Sequence, residues 1–193
     1  MKKKIIYLLF FLLFSITSNY ASEVKKIYEG NEDAKIQLIV YESLTCSHCA
    51  NFHNKIYPKL KEDFIDKGLV KIEFKNFPLD MAAFNASKIA HCKNDGSSKV
   101  LHFLYQNQTK WVKGDTIEKI NSDLKNLIEN SNFQINFKQC LANKKIEDHV
   151  LEDRVEGVKK FKISSTPTLI INNKKFDKPL NYKNLKKTLE KLI

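Results

Sequence analysis

The stretch "IVYESLTCSHCANFH", Ile39 to His53, runs from an apolar, β-branched segment into two cysteines separated by two residues. Upstream, Ile36 to Tyr41 is apolar apart from Gln37. Such a run suits a central strand buried on both faces. Downstream, Cys49, Phe52, Ile56, Leu60 and Phe64 recur at spacings of three and four and form one apolar helical stripe. Asn54, Lys55, Lys59, Glu62 and Asp63 fill the other side. Pro58 lies within this pattern and predicts a kink. Gly68 ends the helix. The cysteine pair therefore sits where a strand hands over to a helix.

Working outward, "VKIEFKNF" (Val70–Phe77) alternates Val70, Ile72 and Phe74 against Lys71, Glu73 and Lys75, a strand of period two. Strand, helix and strand make the unit of a parallel sheet. "VKKIYEG" before them reads as a short edge strand ending at Gly30. From Asp80 to about Ser164 the strand signal is absent. Ile117, Ile120, Leu124 and Leu127 form a helical stripe, Phe103 and Leu104 and then Val155 and Val158 fit further helices, and Gly96 and Gly114 break them. "STPTLIINNKKF" returns to strand, with Asn172-Asn173 suited to a hairpin turn. "NYKNLKKTLEKLI" closes with Tyr182, Leu185, Leu189 and Leu192 on one helical face. The order is β-α-β, a helical block, then β-β-α.

The first cysteine of a CxxC at a helix start faces unpaired backbone N–H groups and the positive end of the helix dipole. Both favour thiolate, so Cys46 should ionise well below a free thiol. His48, when protonated, adds charge of the same sign. Cys49, one turn in, should be more buried and less reactive. Stabilising the Cys46 thiolate stabilises the reduced form and makes a Cys46–Cys49 disulfide more oxidising.

Other chemistries use the same residues. Covalent haem attachment needs His directly after the second cysteine, and Ala50 stands there. Structural zinc wants four ligands, usually in two pairs, and Cys92 and Cys140 make no second CxxC. An inert disulfide and a metal clasp remain as rivals to a redox pair. His53, one turn past Cys49, reads as packed beside the site. Far along the chain, Pro167 in "STPT" enters a strand without a ladder donor and so needs a special geometry, which a cis Thr166–Pro167 bond would supply.

The chain has 193 residues, enough for one compact domain with a large insertion. "MKKK", the apolar run Ile5–Ile16 and "SNYASE" together read as a secretory leader over residues 1–21, cleaved near Ala21. Formal net charge is +11, but the lysines are scattered among acids without interleaved aromatics, a solvated surface rather than a nucleic-acid face. Four cysteines in an exported chain point to two disulfides.

The leader, "YESLTCSHCANFH", "KIEFKNFPLD", the cysteine of "AHC" and "STPTLIIN" together resemble the DsbA family of exported thiol-disulfide oxidoreductases. The likeness runs from about Val24 to Ile193 and is greatest to the branch with a second, non-catalytic cysteine pair. It implies an α/β thioredoxin fold with an inserted all-helical domain, placed at 22–79 plus 165–193 and at 80–164. It implies Cys46 as the reactive cysteine and Cys49 as its partner. It also implies Ser47 and His48 as tuners of the thiolate, and Thr166 and the cis proline Pro167 as the loop facing them. Cys92 and Cys140 become a structural disulfide, whose long loop a chain-entropy model rates at about 4 kcal/mol.

The implied activity is dithiol oxidation of reduced exported proteins in the periplasm by a monomer that needs no cofactor. A membrane quinone-linked oxidase is the expected re-oxidising partner. A reductase or isomerase is the alternative within the fold, and a CxxC metal-binding module the alternative outside it. Three positions depart from the family pattern. Ser47-His48 replaces Pro-His, Thr166 replaces a frequent Val, and Val40 stands where some members carry a buried acid, Glu42 being the nearest acid here.

Overall fold

The computed structural model describes residues 23–193. The expected leader at 1–21 lies outside them. The edge strand β1 (Ile27–Glu29) precedes β2 (Ile36–Glu42). The helix that follows begins as α1 (Ser47–Asn51), widens to π-winding over Phe52–Ile56, continues as α2 (Tyr57–Leu60) and widens again over Lys61–Ile65. Pro58 was expected to kink a regular helix. Instead the turn before it opens, and the Tyr57 N–H reaches back to the Phe52 carbonyl. β3 (Val70–Asn76) completes the strand–helix–strand unit.

Six helices come next: α3 (Met81–His91), α4 (Lys99–Gln106), α5 (Gln108–Trp111), α6 (Ile117–Glu129), α7 (Phe137–Ala142) and α8 (Lys144–Phe161). β4 (Thr168–Ile171), β5 (Lys174–Lys175) and α9 (Tyr182–Leu189) end the chain. No helix of the described residues is long and apolar enough to cross a membrane.

The five strands form one sheet in the order β1-β3-β2-β4-β5. β2 and β3 are parallel, with Leu38 opposite Ile72 and Val40 opposite Phe74. The other pairs are antiparallel. Asn172 and Asn173, both at positive φ, turn the β4–β5 hairpin as their composition predicts. This is a thioredoxin fold with helices inserted between β3 and β4.

One face of the sheet carries the main core. Ile36, Leu38 and Val40 pack with Ile72 and Phe74 beneath the stripe Cys49, Phe52, Ile56, Leu60 and Phe64. The same apolar body runs on into the inserted helices through Leu104, Trp111, Leu124 and Ile128. On the opposite face, expected to be buried along the whole of β2, the cover is partial. Gln37 is exposed and Ile39 half-buried, while Tyr41 packs with Phe77, Ile163 and Ile170.

The cover over Tyr41 is α8, which also makes the polar side of β3 less open than its alternation implied. Lys75 is buried there, paired with Glu156 and 3.6 Å from Asp153. The backbone N–H of Asn76 donates to Asp153 at 3.0 Å. Gly157 makes the close approach of α8 feasible, because a Cβ there would lie 2.9 Å from Tyr41 Cε1. We expect Gly157→Ala to cost about 1–3 kcal/mol in denaturant unfolding. An unchanged midpoint would show that the helix can shift freely.

Val155 and Val158, which fit a helix by sequence, are in α8 but face solvent. A disulfide joins Cys92, just after α3, to Cys140 in α7, with Cα atoms 5.4 Å apart and a sequence separation of 48.

Candidate active site

The loop leaving β2 delivers Cys46 to the head of α1. The Cys46 N–H donates to the Ser43 carbonyl at 3.0 Å, and Cys46 itself is the N-cap residue, extended at φ −75° and ψ 120°. Gln108, at the start of α5 in the inserted block, holds this loop from the other side. Its side-chain amide donates to the carbonyls of Leu44 at 2.8 Å and Cys46 at 3.0 Å. Nothing in the sequence singled out Gln108, since a lone polar residue in a helical pattern reads as surface. It is buried where two carbonyls of the cysteine loop need a donor.

Cys46 is half-buried, Ser47 and His48 are exposed, and Cys49 is fully buried. Both cysteines are free thiols. The Thr166–Pro167 bond is cis, and it places the Thr166 carbonyl 3.4 Å from Cys46 Sγ, where the thiol donates to it. The structure thus brings Cys46, Ser47, His48, Cys49, Thr166 and Pro167 into one place. Cys92 and Cys140 lie apart from them, in the helical block.

The two sulfurs differ strongly. The Cys46 thiol is lowered to about 5. A hydrogen bond from Cys49 is the main cause; burial opposes it, and Thr166 and the backbone N–H groups of Cys49 and His48 add to it. His48 thus reaches the sulfur through its backbone. Cys49 is pushed far up, chiefly by burial, with the neighbouring Cys46 and the charge of Glu42 adding to it. The pair holds a thiolate at the surface and a thiol beneath it.

Thr166 Oγ1 is buried and has no hydrogen-bond partner, so its hydroxyl is free to turn to the thiolate, whose ionisation Thr166 favours. A hydrogen bond to a charged acceptor contributes about 1.5–3 kcal/mol, less at a half-open site. Thr166→Val should therefore raise the Cys46 midpoint by about one unit. Titration of the thiolate absorbance near 240 nm reads this directly, and an unmoved midpoint would remove Thr166 from the account.

Beside Cys46 opens a groove of about 540 Å³, lined by Thr45, Ser47, Leu79, Met81, Val112, Ile117 and Ile120 among others. Leu79 and Met81 are exposed at its rim, 50% and 60% of their surface being open. Thr45 donates to Asp80 at 2.6 Å, and Asp80 caps α3 by accepting from the Ala83 N–H at 2.7 Å, which fixes the groove wall to the cysteine loop.

A cysteine pair at a helix head, faced by a cis proline on a thioredoxin fold, defines a thiol-active member of that fold. The family model described as Thioredoxin matches residues 22–191. A probable disulfide bond formation protein D of Bacillus anthracis is 30% identical over 177 residues, 84% of this chain and 76% of its own length. A structure of a Wolbachia pipientis α-DsbA1 variant is similar at TM-score 0.77 and 28% identity, covering 86% of this chain and 90% of that one. A longer Rickettsia bellii protein is 30% identical over 145 residues, and the chain spans 55% of its length. The chain belongs to the thioredoxin family, and within it to the DsbA proteins with a second cysteine pair.

Proposed function

We propose that the protein is an exported dithiol oxidase that introduces disulfides into other exported proteins. The observation that carries this reading is the asymmetry of the pair: a Cys46 thiolate held down at about 5 above a buried Cys49. A disulfide whose reduced form is so stabilised tends to accept electrons.

In this reading a substrate thiolate attacks Cys46 Sγ, and the electrons of the S–S bond pass to Cys49. Cys46 now carries a mixed disulfide. A second substrate thiolate attacks the substrate's own sulfur, Cys46 leaves as the thiolate, and the substrate departs oxidised. The low thiol range of Cys46 makes it the better leaving group in this second step. The apolar groove at Leu79 and Met81 suits unfolded chain with exposed apolar side chains, and it lies within reach of Cys46. Cys92–Cys140 staples the helices and takes no electrons. Export by a leader at 1–21, action as a monomer in the periplasm, and re-oxidation by a membrane quinone-linked oxidase complete the proposal.

The test is stoichiometric. Oxidised protein is mixed with a reduced, unfolded two-disulfide protein, and thiols are counted by alkylation and mass. One substrate disulfide should appear for each Cys46–Cys49 pair reduced. A substrate that keeps all its thiols would overturn the assignment.

A further inference from the structure

The loop from Ser43 to Cys46 joins the end of β2 to the head of α1. Its carbonyls have left the β2 ladder, and buried carbonyls need other donors. One side of the loop is tied to the β3–α3 connection. The Phe77 N–H donates to the Glu42 carbonyl just before the loop at 2.7 Å, the Leu79 N–H to Ser43 Oγ at 3.2 Å, and Thr45 Oγ1 to Asp80 at 2.6 Å.

Gln108 comes from the other side. Its amide nitrogen meets the Leu44 carbonyl at 2.8 Å and the Cys46 carbonyl at 3.0 Å. Only the NH2 end of an amide can meet two carbonyls, so its orientation is fixed. The Cys46 carbonyl also accepts the Ala50 N–H at 3.1 Å, the first hydrogen bond of α1. The two donors together fill its acceptor capacity. They set the angle at which Cys46 enters the helix, and with it the direction of the side chain.

That direction decides whether Sγ lies against the N–H groups of His48 and Cys49, which favour the thiolate. Gln108 does not touch the sulfur; it acts by holding the residue that carries it. The arm behind it is rigid. Trp111, at the end of α5, is fully buried and donates from Nε1 to the Leu104 carbonyl in α4 at 3.0 Å. The Val112 N–H donates to the Gln108 carbonyl at 2.8 Å, and Val112 lines the groove beside Cys46.

We propose that Gln108 is a positioning residue for dithiol exchange, tying the inserted helical block to the Cys46 loop and holding Sγ in its reactive orientation. The inference rests on the dithiol chemistry above and deepens it. Gln108 makes and breaks no covalent bond. Exchange needs the attacking, central and leaving sulfurs near one line, with Cys46 Sγ bonded to Cys49 on one side and open to the groove on the other. Misplacement by about 1 Å can cost on the order of 100-fold in rate.

The test compares wild type with Gln108→Met, which keeps length and volume but has no donor. In the reduced variant the Cys46 midpoint, read from thiolate absorbance near 240 nm, should rise by about half a unit to one unit. The equilibrium with glutathione at pH 7 should shift toward the disulfide by the same factor, about three- to tenfold, because the reduced form loses what its thiolate loses. At pH 8, where both proteins are thiolates, attack of Cys46 on glutathione disulfide should be about tenfold slower in the variant. A purely electrostatic role predicts the opposite sign, since a thiolate of higher midpoint is the better nucleophile.

A merely structural residue would lower the melting temperature of both redox forms and leave midpoint and equilibrium in place; that result, or faster attack at pH 8, would overturn the proposal. If Gln108→Met does not fold, wild type carries the test. The side-chain NH2 resonances of Gln108 should shift with the Cys46 titration, at about pH 5, and resonances that ignore it would equally refute the assignment. A wild-type chain that exchanges no disulfide with glutathione would instead remove the dithiol reading beneath it.

Discussion

Replacing Cys46 by Ser abolishes dithiol exchange, a loss on the order of 10³-fold or more, whereas Cys49→Ser leaves a protein that captures substrates and cannot release them unaided. The asymmetry follows from the two environments. Cys46 alone reaches the groove and alone is a thiolate at neutral pH; Cys49 is buried and protonated. Without Cys49 the mixed disulfide on Cys46 has no internal thiol to resolve it. Non-reducing gels of reduced Cys49→Ser with a disulfide-bonded substrate should show a covalent adduct, as Cys46 attacks the substrate disulfide and displaces one of its sulfurs as thiolate, and Cys46→Ser should show none. Adducts on Cys49 in the Cys46→Ser variant would reverse the assignment.

The same thiolate gives the reduced protein a pH-dependent stability. A thiol lowered from 9.0 in its ordinary state to about 5 in the fold contributes stability that is fully present above pH 9. That contribution shrinks as pH falls and is lost as pH passes through about 5. The gap in thermal midpoint between reduced and oxidised forms should therefore move against the reduced form over this window. Cys46→Ser should flatten the trend.

The second large effect lies away from the site. Cys92→Ala together with Cys140→Ala removes the bridge that closes a loop of sequence separation 48. The chain-entropy model assigns it about 4 kcal/mol, which for a chain of this size lowers the melting temperature by on the order of 10 °C. The bridge ties the end of α3 to α7 within the inserted block and touches neither Cys46 nor Gln108. Exchange at Cys46 should persist at temperatures where the variant stays folded. A melting temperature within about 2 °C of wild type would show that packing of Ile89, Leu124 and Phe137 holds these helices without the staple.

Much of this was legible from residue spacing. The stripe Cys49 to Phe64 and the alternation of Val70 to Phe74 are local patterns, and local patterns survive into the fold. Thr166 and Pro167 were legible once the DsbA likeness tied "STPT" to the cysteine motif. What escaped was set by contacts distant in sequence. Gln108 matters because it meets carbonyls more than sixty positions away. His53 and Glu42 seemed a neighbouring histidine and a nearest acid. Only the approach of α4 and β1 made them members of one hydrogen-bonded line with His102 and Glu29. The widened turn Phe52–Ile56 also has no single-residue signal, because it depends on how the chain absorbs Pro58 while keeping five stripe residues buried.

The reduction potential of the Cys46–Cys49 pair, measured against glutathione at pH 7, tests the central claim most directly. A surface thiolate held at about 5 over a buried thiol predicts an oxidising disulfide, between about −180 and −120 mV. A value near −270 mV, as in a thioredoxin-type reductant, would contradict the account.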